Sequence, residues 1–295
     1  MTNVTGSTNQ ANVPIGFSKD LIQAIRYDCI IQKTVTQDKW NKSMGQTIFK
    51  NRGINWTKQF KYPNTVLTPN AYVTTSEPLF IDTFEVSALV LEDFSKPFIP
   101  DEVLADNLKA MGYALARSID TTLSNLFQSF SQQVTGTAYN VPIIYPNLAT
   151  AAQLLQVGGV KPDSEAVFTV ISSEQAASFK SSQVFTDSAY AGQDGINNFK
   201  KAMLTQNAVA GSTLLQSLLL RAPAGGGHDM AMYSKDAIRM AFANEPEYFE
   251  WYYGFDLGML KGYKQAWGYT RSYRTVETGG SSALTDAWAC FLPGL

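Results

Sequence analysis

The sequence DEVLADNLKAMGYALARSIDTTLSNLF, residues 101–127, predicts a single uninterrupted helix of unusual length. Apolar side chains recur every three or four residues from Leu104 to Phe130, which is the spacing of one helical face. Pro97 and Pro100 stand just before it, where a helix starts easily but does not continue backwards. If it extends to Phe130, the helix is about 45 Å long, whereas the mean globular helix has about 11–12 residues.

Two explanations of so long a helix remain open on its residues alone. Lys109, Arg117 and Asp120 interrupt it with charge, so it does not cross a membrane. Its apolar spacing does not keep a strict heptad, which argues against a coiled coil. The helix belongs either to the core of an ordinary enzyme or to an elongated, shell-like subunit that it stiffens.

Composition and charge exclude several classes of protein. The chain has 295 residues, 45% of them hydrophobic and 16% charged, which is enough to bury a sizeable core in one domain or two. A net charge of −2 argues against an avid nucleic-acid binder. Cys29 and Cys290 form no metal-ligand spacing, which indicates a reducing compartment. The polar N-terminus, uncharged before Lys19, predicts that the chain has no signal peptide, and no stretch is apolar enough to span a membrane.

The part of the chain before the long helix is predicted to contain an arm and a β-hairpin. Residues 1–16 have a flexible composition, and a short helix is expected at 18–27. Residues 42–80 are rich in Thr, Asn, Pro and Gly, and apolar residues alternate with polar ones at 54–61. These features predict a long hairpin with few apolar residues, which needs a partner surface to be stable.

The chain after the long helix is predicted to form a small α/β region followed by long strands. Ser172 and Gln175 have the spacing of a capping box. The expected elements are a connector at 141–147, helices at 148–156, 172–179 and 235–243, strands at 166–171, 230–233 and 287–292, turns or loops at 181–213 and 223–229, and long β-structure with bends at its glycines over 247–276.

The residues that would carry catalysis or bind a metal do not form a known motif. His228 is the only histidine and follows three glycines in a predicted loop. No nucleophile motif, phosphate-binding loop or dinucleotide-binding motif accompanies it. Glu245 and Glu247 flank Pro246 in a predicted charged turn. We therefore expect no enzymatic activity, no catalytic or cofactor-binding residue, no metal site and no cofactor.

The charges around the start of the long helix form two adjacent blocks of opposite sign. Residues 42–76 hold five basic side chains and no acid, whereas residues 82–106 hold seven acids and one base. Such blocks are commonly solvated faces, but they are also what the two halves of one electrostatic contact look like. The candidate contact residues are Lys42, Lys50, Arg52, Lys58, Lys61, Asp93, Asp101, Glu102 and Asp106. A second basic group, set among aromatic residues, consists of Lys261, Lys264, Arg271 and Arg274.

The order of these parts resembles that of a known family. Three segments carry the resemblance: residues 83–120, which lead through acidic residues into the long helix and its ALARSID segment, residues 166–179, and MAMYSKDAIRMAF at 230–242. The chain resembles the major capsid proteins of tailed double-stranded DNA bacteriophages, which have the α+β HK97-like fold. The resemblance implies that the long helix is the spine of a thin subunit that tiles a shell.

The resemblance also implies a domain division and a set of partners. The implied division is an N-terminal arm at 1–41, an extended loop at 42–92, a peripheral domain at 93–138 and 235–282, and an axial domain at 139–234 and 283–295. The implied partners are further copies of the chain in hexamers and pentamers, double-stranded DNA enclosed without sequence specificity, and portal and cement or decoration proteins. Only a short polar tail precedes Ser18, so we expect any scaffolding protein to be separate. The implied location is the virion capsid, assembled in the bacterial host cytoplasm.

The extended loop of this family lies across the next subunit's peripheral domain, so we expect the basic block to dock on a neighbour's acidic block. Two alternatives stay open. One is an encapsulin-like cargo shell protein, which has a similar fold. The other is a soluble α/β hydrolytic enzyme that uses His228.

Overall fold

The computed structural model describes residues 30–42, 45–53, 63, 74–92, 99–161, 165–181, 208–209, 212–253, 258–278, 281–285 and 288–295. Its helices are α1 (Ile31–Thr34), α2 (Asp101–Asn125), α3 (Tyr145–Val157) and α4 (Ser173–Ser181), with single 3-10 turns at Phe127–Ser129 and Lys235–Ala237. Its strands are β1 (Thr36–Asp38), β2 (Thr47–Gly53), β3 (Thr74–Phe80), β4 (Thr83–Glu92), β5 (Gln132–Gln133), β6 (Val167–Ile171), β7 (Ala208–Val209), β8 (Ser212–Gln216), β9 (His228–Ser234), β10 (Ile238–Tyr253), β11 (Gly258–Arg271), β12 (Arg274–Thr278), β13 (Ser281–Thr285) and β14 (Ala289–Gly294). The expectations for residues 1–16, 18–27 and 54–61, and for most of 181–213, lie outside the described residues.

The predicted long helix is α2, which has 25 residues and is about 37 Å long. Ile119 and Leu123 on its apolar face are buried in the main hydrophobic core. The helix ends at Asn125 instead of extending to Phe130. Beyond it the backbone tightens into a 3-10 turn, in which the Phe130 N–H donates to the Phe127 carbonyl at 3.2 Å. This turn places both phenylalanines in the core.

α2 packs against a four-stranded sheet with the strand order β1-β10-β11-β4. β10 pairs with β11 and β11 pairs with β4, both antiparallel, while the short β1 runs parallel to β10. The Gln265 side-chain amide donates to the Leu115 carbonyl of α2 at 3.3 Å, which marks the side of the sheet that faces the helix. We call the opposite side the open face.

A second, six-stranded sheet has the order β5-β14-β9-β6-β8-β7 and mixes parallel and antiparallel pairs. Helix α3 packs against β9 and β14, which are buried along most of their length. One cluster of buried apolar side chains joins this sheet to α2 through residues such as Phe127 and Tyr233.

β2 and β3 form an antiparallel hairpin, as the sequence predicts, with Thr47 opposite Phe80 and Gly53 opposite Thr74. The base of the hairpin crosses the open face of the four-stranded sheet. Ile48, Leu79 and Ile81 form a small core there with Ala241. A Cβ at Gly268 would lie 1.9 Å from the Phe80 carbonyl oxygen, so only glycine permits this crossing.

The helix predicted at 235–243 is wrong. Only Lys235–Ala237 is helical, as a 3-10 turn, and Ile238 begins the long strand β10. Ile238, Arg239 and Met240 are all buried, because β10 is covered on both sides where it passes under the hairpin. A strand covered on both faces loses the alternation that distinguishes it from a helix.

Several smaller predictions also need correction. The connector at 141–147 ends in a helix, since α3 begins at Tyr145 and has a proline in its first turn. His228 opens strand β9 rather than lying in the loop before it. Glu247 lies within β10, not in a turn. The irregular pairing of β10 with β11 falls next to Asn244, whereas Gly262 stays in register within β11.

The capping box at Ser172 forms only in part. The Gln175 N–H donates to the Ser172 hydroxyl at 3.0 Å, as predicted. The Gln175 side chain does not return to the cap. Instead its amide bonds both backbone groups of Ile143, at 2.8 and 2.7 Å, and so ties α4 to the segment before α3. The predicted strands at 166–171, 230–233 and 287–292 are confirmed in β6, β9 and β14.

Candidate subunit-contact surface

The β2–β3 hairpin has two unlike faces because successive strand residues point to opposite sides. The face turned toward the sheet carries Ile48, Leu79 and Glu77, all of them buried. The opposite face, here called the hairpin outer face, carries no charged residue. It consists of Thr47, Phe49, Asn51, Ser76, Pro78 and Phe80. Phe49 is 66% exposed and Phe80 is 55% exposed.

A buried charge network fastens the hairpin to the four-stranded sheet. Glu77 of β3 accepts hydrogen bonds from the Tyr273 N–H at 3.0 Å and from the Ser272 hydroxyl at 3.3 Å. Arg239 of β10 lies beneath it and pairs with Asp38 of β1, with nitrogen–oxygen distances of 2.5 and 2.6 Å. One Arg239 nitrogen is also 3.9 Å from Glu77. Because buried charges tolerate little displacement, the network fixes where the hairpin leaves the body.

The open face of the sheet beyond the hairpin is apolar and exposed. On the edge strand β4, Phe84 is 67% exposed and Val86 is 64% exposed, and Ala88 continues the row. On β10, Trp251 is 71% exposed and shares this face through its register with Leu260 of β11. In the described part of the chain, no helix packs on this side of the sheet.

On β4 the polar side chain of Glu85 faces α2, whereas the apolar side chains of Phe84 and Val86 are exposed on the open face. A strand usually has its apolar side chains inside and its polar side chains exposed. Glu85 lies between Phe84 and Val86 and points toward α2. Its carboxylate accepts from the Ser118 hydroxyl of α2 at 2.5 Å, from the Trp267 indole at 3.3 Å and from the Gln265 amide. These bonds compensate the partial burial of the Glu85 carboxylate and hold the apolar row of β4 outward.

Asp120 of α2 fixes the beginning of the described N-terminal segment. Its buried carboxylate accepts from the Ile31 N–H at 3.1 Å and the Gln32 N–H at 2.7 Å, at the start of α1. Burial raises the pKa of Asp120 above its ordinary value, against the opposing effect of these two bonds. Thr34 and Tyr233 share a 2.6 Å hydrogen bond at the other end of α1. The segment is thereby anchored to α2 and to strand β9 of the six-stranded sheet.

The structure places some of the predicted contact residues and leaves others outside its description. Lys42 is exposed after β1, and Lys50 is half-buried on β2 opposite Glu77. Arg52 lies on β2 opposite Thr75. Lys58, Lys61 and Asp93 lie outside the described residues.

The acidic candidates lie in the first turns of α2. Asp101 is the first residue of the helix and Glu102 is exposed. Asp106 pairs with Lys109 of the same helix at 3.8 Å. No ion pair between described residues of one chain joins the basic block to these acids.

Two lysines of the second basic group are paired within the sheet. Lys261 lies 2.9 Å from Glu250 and Lys264 lies 3.5 Å from Glu247, both across the β10–β11 ladder. The Arg271 guanidinium donates to the Ser129 carbonyl. Lys261 and Lys264 therefore stabilise the sheet as members of cross-strand pairs.

Catalytic geometry is not visible among the described residues. They contain no group of three or more His, Cys, Asp or Glu side chains arranged to hold a metal ion. The Nδ1 atom of His228 is buried and has no hydrogen-bond partner. Burial raises the pKa of the Cys290 thiol to about 12, so it stays protonated and unreactive at neutral pH. None of the helices described is long and apolar enough to cross a membrane.

Sequence reasoning missed the exposed apolar residues. Phe84 and Val86 alternate with Glu85, which is a strand signal, but the segment was interpreted only through its acids. Alternation shows that a strand has two faces, and it does not show which face meets the solvent. In β4 the face that carries Glu85 packs against α2, and the face that carries Phe84 and Val86 is exposed.

No protein-family model matches the chain, and no curated protein matches its sequence. Solved structures do match. A chain of Mycobacterium phage Che8 has a TM-score of 0.67 at 14% identity, over 89% of this chain and 90% of that one. The capsid structure of the cyanophage P-SCSP1u gives a TM-score of 0.65 at 15% identity, over 100% and 97%. The acid-stable capsid structure of Helicobacter pylori bacteriophage KHP30 gives a TM-score of 0.67 at 11% identity, over 100% and 98%.

The chain therefore has the fold of phage capsid chains, and its matches to two of these structures cover 100% of the chain. The mixed α+β, HK97-like fold predicted from the sequence is confirmed.

Proposed function

We propose that this chain is the major capsid protein of a tailed double-stranded DNA bacteriophage and that it self-assembles into the icosahedral shell around the genome. The observation that carries the proposal is the full-length match of its fold to solved phage capsids. The exposed apolar surfaces on the hairpin and the sheet support it independently. Monomeric proteins seldom leave such surfaces uncovered.

We propose the domain division that the family resemblance implies, and the two sheets of the structure support it. We assign the peripheral domain to 93–138 and 235–282, which contain α2, β10 and β11, and the axial domain to 139–234 and 283–295, which contain most of the six-stranded sheet. The arm is assigned to 1–41 and the extended loop to 42–92. β4 belongs to that loop in sequence but pairs with β11, so we place the loop's free part before Thr83.

Subunits are proposed to contact one another through the two charge blocks. The basic block of one subunit docks on Asp93, Asp101, Glu102 and Asp106 of a neighbour. Support comes from the exposure of Lys42 and Glu102 and from the lack of an intrachain ion pair between the blocks among the described residues. Complementary charge of this kind sets the register of neighbours more than it adds affinity.

The remaining partners follow from the same proposal. The shell encloses double-stranded DNA without reading its sequence, since the chain carries a net charge of −2. Separate scaffolding, portal and cement or decoration proteins complete the particle. It assembles in the cytoplasm of the bacterial host and ends as part of the virion.

The purified protein tests the proposal directly. Light scattering after size exclusion, over a range of concentrations, should show rings of five or six chains or closed shells, and negative-stain images should show particles of uniform size. A compact monomer at every concentration would overturn the proposal. The encapsulin-like and enzymatic alternatives lack a comparable observation in their favour.

A further inference from the structure

A cleft of about 570 Å³ opens beside β1, which is an edge strand of the four-stranded sheet. One wall of the cleft is the segment from Lys33 to Gln37, and the other is the 3-10 turn with Lys235 and Asp236. Val35, which is only 2% exposed, contributes an apolar part of the lining. Clefts that hold ligands commonly have volumes of about 300–1,000 Å³, so this one is large enough for a ligand.

Lysines stand on both walls of the cleft and at the end of β1. Lys33 and Lys235 line it and are exposed, and the exposed Lys39 directly follows β1. None of the three makes an ion pair with another residue that the structure describes. Positive charges on opposite walls repel each other, and an anion placed between them removes that repulsion.

The acids of this region are already bonded to other groups. Asp236 accepts a hydrogen bond from the Thr36 hydroxyl at 2.6 Å. Asp38 pairs with the buried Arg239. Asp120, whose charge acts on the neighbouring α1 lysine, is buried and holds two backbone N–H groups. The cleft with its three lysines therefore keeps a net positive charge that attracts an external anion.

The outer edge of β1 can accept another strand. In the described part of the chain β1 pairs only with β10, so no strand lies along its other side. Val35 is already extended, with φ −100° and ψ 159°, and lengthens the edge to Asp38. Successive strand residues direct their N–H and C=O groups to opposite edges, so either Gln37 or both of its neighbours present them outward. Unpaired edges of this kind bind extended peptides by strand addition.

We propose that the β1 edge and its cleft bind an extended acidic segment of a separate protein. The segment pairs with β1 through its backbone, and its carboxylates lie against Lys33, Lys39 and Lys235. A peptide fits this site better than a nucleic acid, because the strand edge requires backbone N–H and C=O groups in return. The described lining also offers no aromatic side chain on which a base could stack.

The described acids of a second copy do not supply such a segment. Glu85 and Glu92 belong to β4, which is already paired with β11, and Asp101, Glu102 and Asp106 belong to helix α2. These residues would have to leave their own elements to add to β1. The binding therefore goes beyond the proposed self-association and does not depend on it.

The first experiment measures binding of a fluorescent octapeptide of alternating Glu and Val to unassembled wild-type chains by anisotropy. Valine favours the extended conformation. Binding should saturate at 0.1 M NaCl and weaken at 1 M, where the Debye length is about 3 Å. An octapeptide of alternating Lys and Val should not bind. Absence of saturable binding by the acidic peptide would overturn the proposal.

Lysine variants locate the binding site. Lys33→Glu/Lys235→Glu should bind the acidic peptide at least about ten-fold more weakly, because two attractions become repulsions. Lys33→Gln/Lys235→Gln removes the charges without reversing them and should lose less. Lys109→Glu/Lys161→Glu is the matched control, since both lysines are exposed elsewhere and the change in net charge is equal. An equal loss in this control would contradict the site. Circular dichroism checks that all variants fold.

Modified peptides test the strand addition. Replacing the central Glu-Val pair by Pro-Pro removes one N–H from each edge of the peptide, whereas Ala-Ala at the same place keeps both. The Pro-Pro peptide should bind at least about five-fold more weakly than the Ala-Ala peptide. Equal binding would exclude backbone pairing and overturn the proposal.

Competition separates a peptide site from a nucleic-acid site. A short DNA duplex should displace the acidic peptide less effectively than unlabelled peptide does at an equal concentration of negative charge. More effective displacement by the duplex would overturn the proposal in favour of nucleic acid. A wild-type chain that never assembles would overturn only the proposed function, because peptide binding is measured on unassembled chains. Reversing these lysines should leave the assembly of the purified chain unchanged, since the partner is a separate protein.

Discussion

Arg239 is the most buried cation described in the chain, with 1% of its side chain exposed, and it pairs with Asp38 while lying 3.9 Å from Glu77. Its two partners lie on β1 and β3, which are distant in sequence from its own strand β10. Removing one member of a buried ion pair leaves an uncompensated charge, which is far more costly than losing a surface pair. The hairpin's attachment therefore depends on this residue.

Arg239→Met should lower the free energy of unfolding by about 3–5 kcal/mol. The substitution leaves the Asp38 carboxylate without its ion-pair partner and removes the positive charge near the buried Glu77 carboxylate. Urea unfolding of unassembled subunits, followed by circular dichroism, measures the loss. Lys109→Met is the control, since Lys109 is 57% exposed and pairs with Asp106 at 3.8 Å. It should cost no more than about 1 kcal/mol. Equal costs for the two variants would contradict the assigned role of Arg239.

Asp120 makes a prediction about pH. Burial raises its pKa above the ordinary 3.8 in the folded state. The folded protein then holds the proton more tightly than the unfolded one, so the stability that Asp120 contributes falls as the pH rises from 3.8 through the raised pKa. Asp120→Asn cannot titrate. The wild-type free energy of unfolding minus that of Asp120→Asn should fall across this window and then level off.

Urea titrations at pH steps from about 3 to 7 follow this difference. A difference that increases with pH would mean that the hydrogen bonds from Ile31 and Gln32 outweigh burial, and that the pKa of Asp120 is lowered instead.

At the scale of elements, α2 is the feature that the fold depends on. Ala114 lies exposed in the middle of the helix. Ala114→Pro should cost about 3 kcal/mol or more, because it removes a backbone hydrogen bond and its ring clashes with the preceding turn. The expected result is insoluble or misassembled protein, measured as the soluble fraction and shell yield. Ala114→Ser keeps the hydrogen bond and should assemble normally. Normal shells from the proline variant would show that the helix tolerates a break.

The secondary-structure elements differ in how well the sequence predicts them, and the difference depends on whether one or both of their faces are buried. Helix α2 was predictable because one of its faces is buried and the opposite face is exposed to solvent. The buried apolar residues therefore recur with the helical repeat from Leu115 to Leu123. β10 was mistaken for a helix at 235–243 because Arg239 and Met240 are both buried, so the period of two disappears.

The candidate contact surface was less predictable than the fold. Charged residues can be identified from the sequence alone, so the basic and acidic blocks were predicted as candidate contact surfaces. The exposure of Phe84 and Val86 depends on Glu85 being satisfied by Ser118 and Trp267, which lie far away in sequence. Such long-range pairing cannot be inferred from local alternation.

At the scale of the whole molecule, the proposed charge contact between neighbouring subunits depends on salt. The charge contact weakens, because the Debye length falls from about 10 Å at 0.1 M to about 3 Å at 1 M. Each exposed pair contributes only about 0.2–1 kcal/mol, but a closed shell repeats the contact in every subunit.

Reversing Arg52, Lys58 and Lys61 to Glu should therefore impair assembly at 0.1 M NaCl while leaving the subunit folded. Reversing Asp101, Glu102 and Asp106 to Lys in the same chain should partly restore it, since the signs again match across the interface. Sedimentation measures shell yield for both triple variants and the combination, and circular dichroism checks folding. The matched control reverses Lys235 and Lys39 to Glu, which are exposed bases outside the two blocks. If the first triple variant assembles like wild type, or the combination does no better than either parent, then the blocks are only solvated faces and the proposed charge contact is wrong.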